Sequence, residues 1–525
     1  MNKFFLILFL ACFISCKKEA DKKPNPKKIE KQNDTEAFDI ENSKIKEAKS
    51  KLLVSFYESK NNKTVWLSPK KRKVVLDELN NSFQEGLNPN DYEVSVLNAF
   101  EKRKSALTKA EWIEYDLLLT NKLKDYVFHL SRGKLNPQKL YDNWDLKLSK
   151  IDIVQMLASI QESENPVAEI EKLKPNHQVY KKLKEALAII ATFPEEDFKT
   201  IEIKKKILPN ETKDVLIDIK KRLIYWKDLP ANASLTSVYD SEAVKAMKKF
   251  QVRHGLSADG IIGFGTIAAL NFTKEQRKQQ IIANLERWKW FPRNLGKEYI
   301  IINIPDFKLR VVKDQDTARV HRIVVGTIKR KTPILSSALD YAVFNPTWTV
   351  PPTILKEDII PETAKNKGYL ATKNIIVYDS IGNVVSPDNW NVDLAPNYRY
   401  VQSPGISNSL GMVKLNFPNR FTVYLHDTNH RDFFAKDFRS LSSGCVRVEN
   451  PIELAEYLLN DRAKYNTDSI TGILKNGKTK YVNFKRKINV QLLYWTAWSE
   501  NNQLIFRDDI YGLDADLYSK LGNQN

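Results

Sequence analysis

Two residues in the stretch "HDTNHRDFFAKDFRSLSSGCVRVENP", positions 426–451, could do covalent chemistry together: Cys445 and His426. A thiolate is the reactive form of cysteine, and an imidazole within hydrogen-bond reach can take the thiol proton. The sulfur then attacks a carbonyl carbon, and backbone N–H groups at the tight Ser443-Gly444-Cys445 turn could hold the resulting oxyanion. Gly444 lets the chain turn sharply and approach a ligand closely. His430 is a rival base, but it sits in a polar loop with no strand to hold it. "RFTVYLHDT" alternates instead. Phe421, Val423 and Leu425 share the face that enters a core, and Thr422, Tyr424 and His426 share the other. His426 is thus expected at a strand's end, on the polar face, and is preferred over His430. After Cys445 a short strand, "VRV", leads into a helix. Asn450 is its expected cap, Pro451 its first residue, and Glu453 completes a capping-box-like spacing. The plain alternative is an inert buried cysteine, because a Cys and a His 19 residues apart are weak evidence by themselves.

The other histidines, His129, His177, His254 and His321, have no ligand-like spacing with cysteine or acidic groups. No metal and no cofactor is expected. Two of the three cysteines lie near the N-terminus. Met1-Asn2-Lys3 is basic, and Phe4–Ser15 is an apolar run shorter than the roughly 20 residues that span a bilayer. Cys16 follows Ser15, an arrangement that resembles a bacterial lipoprotein cleavage site, with Cys16 lipidated. Cys12 is a weaker candidate, and a plain secretory signal or an uncleaved anchor is the alternative. Residues 17–39 read as a flexible tether between membrane and folded domains. The exported chain would keep Cys16, acylated, and Cys445, so no internal disulfide is expected and the lone thiol stands out.

A chain of 525 residues implies two to four domains. Its 42% apolar content, with 24 Phe, 21 Tyr and 10 Trp, can fill real cores and argues against disorder. A formal charge of +19 favours an anionic setting: nucleic acid, a membrane surface or an acidic wall polymer. The lysines are scattered through helical stretches rather than gathered in one block, which fits a solvated surface and argues against a nucleic-acid groove. The expected fold is multi-domain α+β. A mainly helical scaffold covers about 40–225 and a small helical module 226–290. A mostly-β catalytic domain covers 295–485, and a C-terminal extension, 486–525, packs on the rest. Within the catalytic domain, "YAVFNPTWTVPPTIL" is broken by Pro346, Pro351 and Pro352, which excludes a regular central strand there. Residues 356–410 read as a polar, loop-rich insertion of the kind that forms a lid.

"HDT" followed by "SSGCVRV" resembles the signature of the L,D-transpeptidases, bacterial enzymes that cross-link peptidoglycan stem peptides through a cysteine. "IIINIPDFKLRVV", "VVGTIKRKTPILSSALDYAVFNPTWTVPPTI", "YVQSPGISNSLGMVKLNFPN" and "YWTAWSENNQLIFRDDIYGLD" resemble the large subgroup with a helical scaffold and a substrate-capping insertion. "AVKAMKKFQ…GLSADGIIGFGTIAALN" resembles a small peptidoglycan-binding module. The resemblance implies Cys445 as nucleophile, His426 as base, and Gly444 and Cys445 as oxyanion donors. Arg447 would orient the loop or an anionic part of the peptide. Tyr424 would line the cleft or serve as a structural aromatic. Trp348 and Asn345 would shape the donor groove or pack a rigid loop. Asp427 is the nearest group to orient His426. The family commonly has His before Gly-Cys, and this chain has Ser443. The implied reaction is 3→3 cross-linking of stem peptides through a thioester, with a tetrapeptide donor and an amine acceptor, in the cell envelope, and with sensitivity to carbapenems. Water or a protein amine as acceptor would give a carboxypeptidase or protein attachment. A non-enzymatic wall-binding lipoprotein is the remaining alternative. A papain-like peptidase is disfavoured because there the Cys precedes the His.

Overall fold

The computed structural model describes residues 36–148 and 150–522, so the expected signal peptide and Cys16 lie outside it. Helices dominate before residue 290 and strands after it, giving a multi-domain α+β chain. The first core is built around the helix Lys109–Arg132. Thr108 and Glu111 cap it reciprocally, and Trp112, Tyr115, Leu119, Leu123, Tyr126 and Leu130 recur at three- and four-residue steps, all buried. Asp116 is buried here too. It accepts from the backbone N–H of Val65 (2.9 Å) and Trp66 (2.8 Å) and from the Tyr57 hydroxyl (2.6 Å), which compensates its loss of water.

The helical scaffold expected over 40–225 is not one unit. Its core runs from Ile40 to Leu173. The helices Gln178–Ala191 and Val215–Tyr225 instead bury their apolar faces in a second, larger core shared with residues 239–295 and the main sheet. Within that core Ala243, Met247 and Phe250 line the buried face of the helix Ser241–Arg253, and the chain then turns at Gly255 and Gly260 into the helix Phe264–Leu270.

The strands in chain order are β1 (Trp144–Asp145), β2 (Glu298–Asn303), β3 (Lys308–Lys313), β4 (Asp316–Gly326), β5 (Ile334–Ala338), β6 (Tyr341–Phe344), β7 (Trp348–Thr349), β8 (Ile375–Tyr378), β9 (Arg399–Gln402), β10 (Val413–Asn416), β11 (Leu425–His426), β12 (Ser440–Ser442), β13 (Val446–Val448), β14 (Lys480–Asn483), β15 (Asn489–Leu493), β16 (Ala497–Glu500) and β17 (Gln503–Phe506). The main sheet runs β1-β5-β15-β2-β3-β4-β13-β11-β10-β6-β14, with β12 also on β4. β2 is buried beyond its first residue, as its continuous run of isoleucines requires of a strand covered on both faces.

Three expectations are corrected. β15 pairs with β2 on one side and β5 on the other, so residues after 485 are no mere extension but supply a central strand. β6 is a regular strand between β10 and β14. The prolines fall after it, where Asn345 turns the chain with φ of 49°, so they end the strand rather than exclude it. The insertion expected as loops over 356–410 is a folded cap that begins at β7. It holds short helices, the sheet β7-β9-β8, and its own core of Trp348, Val350, Leu355, Leu370, Trp390 and Tyr400. Trp390 Nε1 donates to the Tyr400 hydroxyl at 2.8 Å inside it. Its lower edge rests on Tyr424 and Cys445.

Candidate active site

The strand expected from Phe421 is shorter. Asn419 Oδ1 accepts from the N–H groups of Phe421 and Val423, both at 3.1 Å, and Thr422 turns with φ of 56°. Alternation therefore starts at Val423. Leu425 enters the main core, and Tyr424 meets the cap. His426 does not emerge on an open polar face: it is 5% exposed.

Strand register assembles the site. β11 runs parallel to β13, with His426 beside Arg447 and Leu425 beside Val446. On its other side β10 places Lys414 beside His426. Paired residues share a face, and so do residues two apart on one strand. Tyr424, His426, Lys414 and Arg447 therefore lie on one face, Cys445 enters β13 beside Tyr424, and the cap packs on Tyr424 and Cys445. The Tyr424 hydroxyl interacts with both the Cys445 thiol and the Trp348 indole. The Tyr424 and His426 rings meet edge-on, 5.5 Å apart. Lys414 Nζ sits 4.1 Å over the Tyr424 ring.

Cys445 and His426 are both held neutral. Burial pushes the Cys445 thiol above its usual range, against the opposing pull of Tyr424, Lys414 and Arg447. Burial, with the Arg447 and Lys414 charges, lowers His426 to about 3, although the Asp427 backbone favours the protonated ring. His426 is thus a free base at neutral pH on the same sheet face as a protonated thiol.

The turn before Cys445 is braced from below. Ser442 Oγ donates to the Cys445 carbonyl (2.6 Å) and accepts from the Gly444 N–H (3.1 Å). The Gly444 N–H, expected as an oxyanion donor, is therefore already engaged. Gly444 itself has φ of 114°, which a side chain would strain. Its carbonyl accepts from Thr332 Oγ1 at 2.8 Å, which in turn accepts from the Gly326 N–H at 2.8 Å. The Tyr511 hydroxyl donates to the Gly326 carbonyl (2.8 Å) and accepts from the Thr332 N–H (3.0 Å). Exposed Ser443 accepts from Arg330 Nη1 at 3.0 Å, and the same guanidinium pairs with Glu357 (2.6 Å) and Asp358 (2.7 Å) of the cap.

Cys445, His426, Tyr424, Trp348, Gly444 and Arg447 come together; Asn345 does not. Its Nδ2 donates to the carbonyls of Ile473, Leu474 and Lys478, so it ties the end of β6 to the helix Thr467–Lys475. The Asp427 carboxylate also turns away, accepting from the Met412 N–H (2.9 Å) and Arg431 (2.6 Å), against Gly411, where a Cβ would lie 2.4 Å from it. His430 is exposed and stacks on Phe433 at 5.1 Å. Asn450 occupies the expected cap position but in a left-handed conformation, with no side-chain cap bond. Sequence reasoning missed Lys414, Arg330, Thr332 and Tyr511. Each lies in a stretch quoted above for its family likeness, but only the folded chain brings them near Cys445, Lys414 by strand pairing and the other three by hydrogen bonds from loops.

Residues 297–479 match the model of the L,D-transpeptidase catalytic domain. The catalytic region is an L,D-transpeptidase domain. Residues 212–270 match a putative peptidoglycan binding domain and residues 51–187 a scaffold domain. A putative L,D-transpeptidase of Haemophilus influenzae is 38% identical over 242 residues, 46% of this chain and 49% of that protein. The match thus spans about half the length of the curated relative. The crystal structure of an L,D-transpeptidase from Xylanimonas cellulosilytica aligns over 56% of this chain and 99% of its own, at 14% identity and a TM-score of 0.19. One from Stackebrandtia nassauensis aligns over 57% and 97%, at 13% identity and a TM-score of 0.20. Among the described residues no helix is long and apolar enough to cross a membrane, and no His, Cys, Asp and Glu group is placed to hold a metal ion.

Proposed function

We propose that this protein forms 3→3 cross-links between peptidoglycan stem peptides through a Cys445 thioester. The observation that carries this is the single sheet face, beneath a folded cap, that holds His426, Tyr424 and two cations around the cysteine. Because thiol and imidazole are both neutral at rest, the proton moves from Sγ to His426 as Sγ attacks, rather than beforehand. The attacked carbonyl is that of the third stem residue. The oxyanion is met by the Cys445 N–H, free of any bond within the turn, and by the Tyr424 hydroxyl. Collapse breaks the C–N bond, and His426 returns the proton to the departing D-Ala amine. A side-chain amine of a second stem then attacks the thioester, loses its proton to His426, and releases the thiol. The cap excludes water from the thioester and so favours the amine.

The cell envelope is the proposed location, with Cys16 lipidated as the anchor and the 212–270 module holding peptidoglycan. Purified protein incubated with tetrapeptide muropeptides should yield 3→3 dimers, and Cys445→Ala should yield none. Tripeptide without dimer would indicate a carboxypeptidase. A Cys445→Ala protein with full activity would sink the mechanism. Carbapenem acylation, read as a mass increase of the intact protein and lost in Cys445→Ala, is the companion test.

A further inference from the structure

Two cations on the active face lack an anion. Lys414 Nζ lies over the Tyr424 ring and, among the described residues, makes no ion pair or hydrogen bond. Arg447 has Nε and Nη1 buried without a hydrogen-bond partner, and its guanidinium faces the Phe433 ring 5.5 Å away. The nearby carboxylates do not serve them. Asp427 is taken by Arg431 and the Met412 N–H, and Asp432 lies near Arg447 without pairing with it. The two side chains flank His426 in register, one strand to each side, about 10 Å apart at the backbone. Half-buried and unpaired charges are costly unless a ligand meets them.

We propose that Lys414, with Arg447 across His426, binds the free carboxylate of the residue expelled from the donor peptide. This rests on the transpeptidase reading above. In a donor that ends one residue after the scissile bond, that carboxylate sits one Cα beyond the nitrogen being displaced. It therefore lies within a few ångströms of the carbonyl that Cys445 attacks, near Lys414 Nζ over the Tyr424 ring. A longer donor presents a neutral amide at the same point and leaves both charges unmet. Lys414 thereby makes the enzyme read the end of the chain, and donor length becomes a charge-recognition problem rather than a steric one. The Tyr424 ring holds the ammonium in place before substrate arrives.

The test uses a synthetic tetrapeptide donor with a free terminal carboxylate and its terminal amide, with acyl-enzyme formation on the full chain followed by intact mass. The wild type should favour the acid by about 10- to 100-fold in kcat/KM, the range of a charge-assisted hydrogen bond. In Lys414→Gln the ratio should collapse toward one, mainly through KM, and Lys414→Arg should restore most of it. Iodoacetamide alkylation of Cys445 against pH runs in parallel. A preserved ratio in Lys414→Gln, with or without a shifted alkylation profile, overturns the inference, as does equal use of both donors by the wild type. Absence of any acyl-enzyme from either donor overturns the transpeptidase reading itself.

Discussion

Thr332 has no part in bond making, yet its hydroxyl sets where Cys445 stands. It is fully buried, donates to the Gly444 carbonyl at 2.8 Å and accepts from the Gly326 N–H at 2.8 Å. Thr332→Val keeps the shape and removes both bonds. Gly326 and Gly444 are buried as well, so neither orphaned backbone group can turn to solvent. Each unsatisfied group costs about 1–3 kcal/mol, so the turn loses about 2–6 kcal/mol less whatever it recovers by shifting. Shifting is what would slow the proposed acylation: a displacement of about 1 Å at an attacking atom costs about 100-fold. The assay is single-turnover acylation followed by intact mass, with hydrogen exchange at the amides of residues 440–448 to read local opening. Thr332→Val should acylate about 10- to 100-fold more slowly and exchange faster at that turn alone. Thr332→Ser keeps the hydroxyl and should stay within a few-fold of wild type. Acylation within two-fold of wild type for Thr332→Val, with unchanged exchange, would refute the argument.

Arg330→Gln should change overall stability by no more than about 1 kcal/mol, because Glu357 and Asp358 are half-exposed. It unties the cap from Ser443, so hydrolysis should rise against cross-linking. A product ratio equal to wild type would count against the cap as a water barrier. Because burial raises the Cys445 thiol above its usual range, alkylation by iodoacetamide should still be climbing above pH 9, and a plateau near pH 7 would contradict the neutral resting pair. The His426 ring, held down to about 3, should show no titration in its NMR shifts from pH 8 to pH 5. A midpoint near pH 6.5 would mean that the ring is solvated. Tyr511→Phe removes the acceptor of the Thr332 N–H and should slow acylation in the same direction as Thr332→Val, by a smaller factor; unchanged acylation would show that β4 needs no brace from the C-terminal region.

Much was legible from local signals. The short strand after Cys445, the helix starting at Pro451 and the helices around Gly255 and Gly260 all rest on neighbouring residues. Chain direction, turn chemistry and hydrophobic period encode such features within a few positions. What failed was non-local. Asn345 read as a groove residue because it sits beside Trp348 in sequence, yet its amide faces three carbonyls more than a hundred residues away. The Gly444 N–H is the local exception, because Ser442, two residues earlier, already takes it.

The amino-acid sequence by itself supplied the groups for the proposed chemistry: the Cys445 thiol, the strand-borne His426 imidazole, and a glycine turn before the cysteine. The tertiary structure decided the environment in which that chemistry would run. Parallel pairing of β11 with β13 and antiparallel pairing with β10 put Lys414 and Arg447 on either side of His426. A strand from beyond residue 485 completes the sheet, and Thr332 and Tyr511 lock the turn. Register between strands far apart in the chain has no local code. It is set by which faces can be buried together, and only the folded chain answers that.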